Sequence, residues 1–378
     1  MGTVGIICEY NPFHLGHGRQ LALLRRENPE ETLVCLMSGN YVQRGKPAIF
    51  DRTVRAKAAI LGGADLVLEL PVNVSLRSAE GFADGGIEIL SSLGLESVCF
   101  GAETREAGTL MEAAEILLTP EFSQELRHCL ERGLSFPAAR QQAVQTLGGP
   151  WQVLSRPNDI LAVEYCKAVL RQGSALKVRA IHRQGDYHAL QADLENPSAT
   201  ALRSRILAEE PWTGFVPEAV APAYEGAAVH CLTFGERAVL GKLRSMTREE
   251  FEAVPYGSEG LWRKLMHESR HQNCLEDILT AVKSKRYTRS RLDRMVLCAF
   301  LGLTEAELTQ RAPYVRVLAM NGRGRTALKT MRGHRLVHLG ERTDEPWAET
   351  EERCTRLYGL FAREPELPRR AERVAVLP

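Results

Sequence analysis

Two histidines three positions apart, His14 and His17, are the residues of this sequence best suited to phosphate chemistry. They stand on either side of Gly16, after an apolar run and before a helical pattern. Free backbone N–H groups and the positive end of the helix dipole attract phosphate at such a position. On an opening helical turn both rings can face one ligand and donate to its oxygens as charge shifts. The spacing therefore predicts a phosphate-binding site, against the plain alternative of two unrelated histidines beside a turn.

The elements that must position these rings alternate between strand and helix in the way typical of βαβ units. The predicted strands are Thr3–Cys8, Thr32–Met37, Leu66–Leu70, Ser97–Phe100 and Val178–Ile181, and the predicted helices are Gly18–Glu27, Arg52–Leu61, Ile160–Leu170 and Leu202–Leu207. Near-continuous apolar strands favour a parallel sheet covered on both faces. Ligands of such sheets bind at the carboxyl ends of the strands, which is where His14 and His17 follow the first strand.

The second half of the chain has a different character. Helical spacing dominates in four segments: Leu240–Met246, Gly260–His267, Cys274–Lys283 and Thr288–Phe300. We therefore predict the α/β class, with a Rossmann-like parallel-sheet domain over residues 1–210 and a mainly helical domain over residues 211–378. The proline-bearing interval Pro211–Pro222 is the predicted linker.

The composition of the chain is that of an ordinary globular protein. The 378 residues are 44% hydrophobic and 25% charged, as in ordinary globular proteins. No apolar run approaches the ~18 residues of a membrane span, and the N-terminus lacks the pattern of a signal peptide, so we expect a cytoplasmic protein. The nine cysteines are scattered singly, without the spacing of a zinc site, so we predict no protein-bound metal.

The histidine segment resembles the signature of a known superfamily. His-x-Gly-His after the first strand is similar to the motif of the HIGH-type nucleotidyltransferases, which include pantetheine-phosphate adenylyltransferases and class I aminoacyl-tRNA synthetases. The longer string from Glu9 to His17 resembles the bacterial tRNA(Met) cytidine acetate ligases. Further stretches agree with that family along most of the chain: Met37–Gly39, Gln43–Ala48, Leu68–Pro71, Phe100–Glu103, Pro157–Leu161, Ile181–Arg183, Ser198–Arg203 and Lys285–Arg289.

The resemblance implies a reaction and a site. It implies that ATP activates acetate as acetyl-adenylate, and that the acetyl group passes to N4 of the wobble cytidine, position 34, of elongator tRNA(Met). It implies His14 and His17 as catalytic residues, and Mg²⁺ accompanying ATP. The implied ATP-binding residues are Ile7, Cys8, Glu9, Tyr10, Asn11, Pro12, Phe13, His14, Leu15, Gly16, His17, Gly18, Arg19 and Gln20, completed by Gly101, Asn158, His182 and Arg183.

Several of these residues also have simpler interpretations. Asn158 can read the nucleotide through its amide or cap the helix that follows. Arg183 can hold phosphate or make a surface ion pair. Ser198 and Thr200 can face phosphate or form an ordinary helix cap. The polar loop after the second strand, from Ser38 to Gly45, is expected to border the acetate or acceptor pocket.

Basic residues concentrate between Lys283 and Arg335. They are Lys283, Lys285, Arg286, Arg289, Arg291, Arg294, Arg311, Arg316, Arg323, Arg325, Lys329, Arg332 and Arg335, against the acids Asp293, Glu305 and Glu307. Because the net charge is only +1, this polarity predicts a local nucleic-acid face, with Lys285, Arg286, Arg289, Arg291 and Arg294 as the tRNA-binding residues. Arg52, Arg55 and Lys57 are expected to extend it toward the ATP site. A solvated helix face with internal ion pairs is the alternative.

Three functions fit the sequence to different degrees. The first is the tRNA-modifying ligase with elongator tRNA(Met) and acetate as its substrates and no stable protein partner. The second is an adenylyltransferase that joins AMP to a small phosphorylated metabolite, for which the basic helical region has no use. The third is an RNA-binding protein with a relic nucleotide fold, against which the intact histidine pair argues.

Overall fold

The computed structural model of the protein describes residues 2–182, 197–284, 286–341, 343–366 and 374–377. Within these ranges the strands are β1 (Thr3–Cys8), β2 (Thr32–Ser38), β3 (Tyr41–Val42), β4 (Lys46–Pro47), β5 (Leu66–Leu70), β6 (Ser97–Ala102), β7 (Lys177–His182), β8 (Val315–Met320), β9 (Leu336–His338) and β10 (Ala375–Val376).

Helices surround these strands. In the first half of the chain they are α1 (Leu15–Glu27), α2 (Arg52–Leu61), α3 (Val72–Ser75), α4 (Ala79–Ser92), α5 (Ala107–Leu117), α6 (Pro120–Glu131), α7 (Phe136–Thr146), α8 (Pro157–Arg171) and α9 (Ala199–Leu207). In the second half they are α10 (Ala221–Tyr224), α11 (Glu236–Ser245), α12 (Arg248–Glu252), α13 (Leu261–His271), α14 (Leu275–Val282), α15 (Arg289–Leu301), α16 (Glu305–Thr309), α17 (Gly322–Leu328) and α18 (Trp347–Tyr358).

The central sheet has the strand order β10-β8-β5-β2-β1-β6-β7, with β9 paired to β8. Every pairing in it is parallel except that of β5 with β8. Strands β2 and β5 are buried along their whole length, because helices cover both faces of the sheet. The predicted α/β class with a mainly parallel Rossmann-like sheet is confirmed.

Two apolar cores flank the sheet, and a third lies among the helices of the second half. One face packs against α4, α5 and α8 through side chains such as Phe82 and Val163. The other packs against α1 and α2 through side chains such as Leu21 and Ala59. The third core is built by α11 to α15 and α18, with Phe251 and Ile278 buried in it. Of these helices, α11, α13, α14 and α15 correspond to the predicted segments, with ends shifted by a few residues, whereas α12 and α18 were not predicted.

The second half of the chain also contributes to the sheet, which the sequence did not predict. Val315–Met320 forms β8 and pairs antiparallel with β5, so strands reached after the helices complete the sheet on that side. The predicted linker is structured as well, with a 3₁₀ turn at Thr213–Phe215 followed by α10. Among the described residues no helix combines the length and the apolar character needed to cross a membrane.

Candidate active site

The carboxyl ends of β1 and β6 form the topological switch point of the sheet. From β1 the chain crosses by α1 on one face to reach β2, whereas α4 and α8, which flank β6, lie on the opposite face. Strands β1 and β6 pair in parallel near their amino ends, through Val4 and Gly5 of β1. Open α/β sheets bind ligands in the crevice that this divergence creates. The segment with His14 and His17 follows β1 directly into this crevice.

The two histidines form a reciprocal cap at the start of α1. His14 is the N-cap residue, with extended backbone, and its Nδ1 accepts a hydrogen bond from the backbone N–H of Gly16 at 3.1 Å. The backbone N–H of His14 donates to Nδ1 of His17 at 3.3 Å. The rings stack with centroids 3.7 Å apart and an interplanar angle of 27°. The pair therefore satisfies backbone donors of the helix terminus and is held rigidly at the same time.

This cap fixes the tautomer of both rings. A neutral imidazole whose Nδ1 accepts a hydrogen bond carries its proton on Nε2. His14 and His17 both use Nδ1 as an acceptor, so both present Nε2–H as a donor on the far side of the ring. Two N–H donors on stacked rings next to a helix N-terminus are suited to stabilising charge on phosphate oxygens.

Gly16 is required by the close packing of this turn. A Cβ atom at this position would lie 3.0 Å from Cε1 and 3.1 Å from Nδ1 of the His14 ring. Any larger residue would therefore push the ring away from the backbone N–H that it caps. The glycine of the His-x-Gly-His spacing thus serves the orientation of His14 directly.

Aromatic side chains pack against the histidine loop. Tyr10 and Phe13 are buried, and their rings lie 4.8 Å and 5.6 Å from the ring of His17. The hydroxyl of Tyr224 accepts a hydrogen bond from the backbone N–H of Phe13 at 2.9 Å. Tyr224 lies in α10, just beyond the predicted linker, so this part of the chain helps to hold the histidine loop in place. No local signal in the sequence connects positions 211 residues apart.

Arg55 is a second residue that the sequence did not reveal. It is fully buried, and its Nε donates to the carbonyl of Phe50 at 2.9 Å. Its Nη1 donates to the carbonyls of Glu9 at 2.6 Å and Ser38 at 3.1 Å, and its Nη2 donates to that of Gly39. One guanidinium thus ties the ends of β1 and β2 together, beneath the histidine loop.

The expectation that α2 extends a basic surface is wrong for two of its three residues. Arg55 is enclosed as described, and Nη1 of Arg52 donates to both oxygens of the buried Glu69, at 2.7 Å and 2.9 Å. Only Lys57 is exposed. The guanidinium groups of both arginines are bound by other groups of the protein. A count of charges in the sequence does not show this pairing.

A further arginine anchors the loop from α9. Arg203 donates from Nη1 to the carbonyl of Asn11 at 2.7 Å and from Nη2 to Oγ1 of Thr200 at 3.1 Å. Ser198 caps α9 by accepting the backbone N–H of Ala201 at 3.0 Å. The helix start that the sequence predicts near the nucleotide is therefore bonded directly to the histidine loop.

The remaining predicted ATP residues gather at the ends of β6, β7 and α8. Gly101 lies in β6 with Ile181 as its partner in β7, and His182 is the exposed last residue of that strand. Arg183 lies outside the described residues. The amide nitrogen of Asn158 donates to Oε1 of Glu103 at 2.6 Å.

Glu103 and Asp159 lock β6 to α8 by reciprocal hydrogen bonds. Glu103 Oε2 accepts the backbone N–H of Asp159 at 2.9 Å. Asp159 in turn accepts the backbone N–H of Thr104 at 2.9 Å and its hydroxyl at 2.7 Å. Asp159 is fully buried. The start of α8 is thus capped by protein carboxylates and fixed against the sheet edge.

Glu9 connects this edge to the helices of the second half. Its Oε1 accepts the backbone N–H of Gln43, in the β3–β4 turn, at 2.7 Å. The carbonyl of Gln43 accepts from Nη1 of Arg294 in α15 at 3.3 Å. Gly45, with φ +73°, lets the turn pack against the backbone of α15 at Asp293 and Arg294. Burial raises the pKa of Glu9 above the usual carboxyl value.

Comparisons with known proteins identify the family of this chain. A profile of the family described as HIGH Nucleotidyl Transferase matches residues 1–372. The tRNA(Met) cytidine acetate ligase of Clostridium novyi is 34% identical over 352 residues, 88% of each chain. That of Anoxybacillus flavithermus is 30% identical over 385 residues, 97% of this chain and 96% of the relative. The chain belongs to the tRNA(Met) cytidine acetate ligase family.

Solved structures of the same family share the whole architecture. Apo Thermotoga maritima TmcAL superimposes with a TM-score of 0.88 at 28% identity, covering 100% of both chains. The form of that protein bound with alpha-thio ATP superimposes with a TM-score of 0.87 at 29% identity, again over 100% of both. The resemblance read from the motifs is thereby confirmed at the level of fold and family.

In this family member the predicted tRNA-binding arginines have internal partners. Arg286 pairs with Glu259 at 2.8 Å and keeps 70% of its side chain exposed. Arg289 makes a bidentate pair with Glu276 at 2.7 Å and 2.6 Å. Arg291 donates to the carbonyl of Tyr256 at 3.1 Å. Lys285 lies outside the described residues.

Arg294 does not fit the predicted role in tRNA binding, because it is buried. It is only 6% exposed, its guanidinium stands 5.1 Å from the ring of Tyr256, and it holds the Gln43 turn. Burial lowers its pKa. Arg294 is therefore a packing residue between α15 and the β3–β4 hairpin. Within the described residues, no group of three or more His, Cys, Asp or Glu side chains could hold a metal ion.

Proposed function

We propose that this protein is an ATP-dependent ligase that activates acetate as acetyl-adenylate and transfers the acetyl group to N4 of the wobble cytidine, position 34, of elongator tRNA(Met). Membership of the tRNA(Met) cytidine acetate ligase family gives the class of enzyme and the kind of tRNA modification. The observation that carries the chemistry is the mutual cap of His14 and His17, which orients both rings at the N-terminus of α1 and at the switch point of the sheet.

The first half-reaction is nucleophilic substitution at phosphorus. An acetate oxygen attacks the α-phosphorus of ATP, the new O–P bond forms, and the bond to the β-phosphate oxygen breaks to release pyrophosphate. Negative charge on the phosphoryl oxygens is stabilised by hydrogen bonds from Nε2 of His14 and His17 and by the N-terminus of α1. Because the rings are already oriented by backbone hydrogen bonds, little reorganisation accompanies the reaction.

We assign the nucleotide to the run from Ile7 to Gln20, with Gly101, Asn158, His182 and Arg183 around it. Ile7, Tyr10 and Phe13 have side chains packed in the apolar cores, so their part is to support the loop. Mg²⁺ is proposed to arrive with the triphosphate, held by phosphate oxygens and water, since the described residues offer no carboxylate cage.

We assign tRNA binding to the helical part of the chain. Residues 1–210 would carry the ATP-binding catalytic domain and residues 211–378 the tRNA-binding domain, a functional division that β8 crosses structurally. Arg286, Arg289 and Arg291, together with Lys285, are the proposed phosphate contacts, whereas Arg294 is withdrawn from that role because it is buried. The protein would act in the cytoplasm, where its tRNA substrate is found.

A two-stage assay tests the proposal. Purified protein without tRNA should catalyse ATP–pyrophosphate exchange that depends on acetate. With ATP, labelled acetate and total tRNA, nucleoside analysis should then find label in N4-acetylcytidine alone. Exchange that needs a phosphorylated metabolite in place of acetate would identify an adenylyltransferase instead. Absence of any exchange would leave only an RNA-binding role.

A further inference from the structure

Three carboxylates stand at the active-site edge of neighbouring strands, and two of them are fully used by the protein. Glu69 in β5 gives both oxygens to Arg52. Glu103 after β6 gives Oε1 to Asn158 and Oε2 to the backbone of α8. In both carboxylates, each of the two oxygens already accepts a hydrogen bond from the protein.

Glu9, directly after β1, differs from both. Its Oε1 accepts the backbone N–H of Gln43 at 2.7 Å, and Oε2 accepts no hydrogen bond from any residue that the structure describes. Its own carbonyl is held by Arg55 at 2.6 Å. The side chain is thus fixed in place with one oxygen uncommitted, five positions before His14. The next residue, Tyr10, has φ +42°, so the chain turns sharply at this point.

The groups that face Glu9 from each neighbouring element set its basicity. Arg55 of α2, Arg203 of α9 and Arg44 of the hairpin favour the charged carboxylate, and Tyr165 of α8 and Cys8 of β1 are neutral neighbours whose pKa values are raised by burial. Burial outweighs the arginines, so the pKa of Glu9 lies above that of a free carboxyl group. A carboxylate whose pKa is raised in this way is a stronger base than an ordinary carboxylate.

We propose that Glu9 is the general base of the acetyl-transfer step. The inference rests on the proposed function, because it concerns the second half-reaction of that same site. N4 of the cytidine attacks the carbonyl carbon of acetyl-adenylate, and the new C–N bond makes the N4 proton acidic. Oε2 of Glu9 accepts that proton. The bond between the acetyl carbon and the phosphate oxygen then breaks, and AMP leaves with the electron pair.

Glu9→Gln separates basicity from shape. The glutamine amide oxygen still accepts the N–H of Gln43, but the side chain no longer takes a proton. Acetate-dependent ATP–pyrophosphate exchange reports activation, and single-turnover transfer from preformed acetyl-adenylate to elongator tRNA(Met) reports the second step. In E9Q the transfer rate constant should fall by about 10²–10⁴-fold, and by far more than exchange falls.

The pH dependence gives a second readout that a structural role would not change. In the wild-type protein the logarithm of the transfer rate should rise with pH and level off above the raised pKa of Glu9. The profile should be flat in E9Q. Glu9→Asp, which keeps a carboxylate one methylene further back, should be slower but keep the rise. Glu103→Gln is the matched control, because both its oxygens are engaged in capping α8, and it too should keep the rise.

Three results overturn the assignment. The first is E9Q transfer at the wild-type rate, and the second is an E9Q profile that still rises with pH. The third is loss of exchange and transfer by the same factor, which would make Glu9 a shaping residue of the loop. If the wild-type protein itself shows no acetate-dependent exchange, the proposed function fails first, and that result is distinct from all three.

Discussion

The histidine loop and the arginine-rich helices contrast in how their polar groups are used. In the loop, each imidazole accepts a backbone N–H with Nδ1, and this hydrogen bond orients the ring and places its proton on Nε2. In the helices, Arg289 and Arg294 spend their guanidinium groups on Glu276 and on the backbone of the hairpin. The two nitrogens of one imidazole ring can serve a structural and a chemical role at the same time. In a paired arginine, the N–H groups are already engaged by the partner.

This contrast shows which kinds of sequence pattern predict a functional site. A short motif reports local geometry, because capping partners lie within three residues of one another. A tally of basic residues reports only that charge is present. Whether that charge is exposed depends on acids elsewhere in the chain, as with Glu259 opposite Arg286, 27 positions away.

The largest effect should come from separating capping from donation at His14. In His14→Asn the side chain remains a good N-cap but lacks Nε2–H, so acetate-dependent exchange should fall about 10²–10³-fold. The melting temperature should stay near that of the wild type. In His14→Ala the same loss should be joined by about 1 kcal/mol of destabilisation. Exchange that survives in H14N would mean that Nε2 is not the donor.

Arg55 should matter for stability more than any exposed arginine. In Arg55→Met the carbonyls of Glu9, Ser38, Gly39 and Phe50 lose their buried donor, and the free energy of unfolding should fall by about 3 kcal/mol. Urea denaturation followed by circular dichroism measures this. Lys57→Ala on the same helix is the control and should change stability by less than about 0.5 kcal/mol. Equal effects of the two would contradict the clamp.

Gly16→Ala should cause an intermediate loss of activity. A Cβ at position 16 would lie only 3.0 Å from Cε1 of the His14 ring, so the ring must move by a few tenths of an ångström. Such a misplacement should lower kcat/KM for exchange about tenfold, equivalent to about 1.4 kcal/mol. Gly108→Ala, where a Cβ meets nothing within 4 Å, is the matched control. Wild-type kcat/KM in G16A would show that the ring has room to spare.

A smaller effect should appear in the pH dependence of stability. The folded protein holds the proton of Glu9 more tightly than the unfolded chain does, because burial raises its pKa. Stability contributed by this group is therefore present at low pH and lost as pH rises through the folded-state pKa. E9Q should match the wild type at low pH and become the more stable of the two at higher pH. A difference independent of pH would contradict the raised pKa.

The smallest expected effect tests the helical region. Glu259→Gln with Glu276→Gln removes the acids that pair with Arg286 and with the Nη atoms of Arg289, while Arg289 keeps Asp293. The tRNA should therefore bind about two- to fivefold more tightly at low salt, with a steeper salt dependence. Arg286→Glu with Arg289→Glu should weaken binding and flatten that dependence. An unchanged salt slope in both double variants would remove these arginines from the RNA contact.

The sequence predicted the local elements of the fold well. β1, β5 and α2 have the predicted bounds, whereas α1 begins at Leu15 rather than at Gly18, and the capping role of His14 was not predicted. Long-range partners were missed for a physical reason. Tyr224 meets Phe13, and Val315–Met320 meets β5, only after the chain has folded through several other elements. Apolar runs and turn residues signal that a strand exists, not which neighbour it finds.

The pairing of β8 with β5 bears on how this protein can be dissected. A polypeptide cut after residue 210 would keep the histidine loop but leave one edge of β5 without hydrogen-bonding partners. Such an unprotected apolar edge invites association between copies. The same cut would strip Tyr41 of the helical core that buries it and of the carbonyl of Cys354 that its hydroxyl contacts at 2.8 Å. Activation and RNA binding are therefore best separated by point substitutions in the full-length chain rather than by truncation.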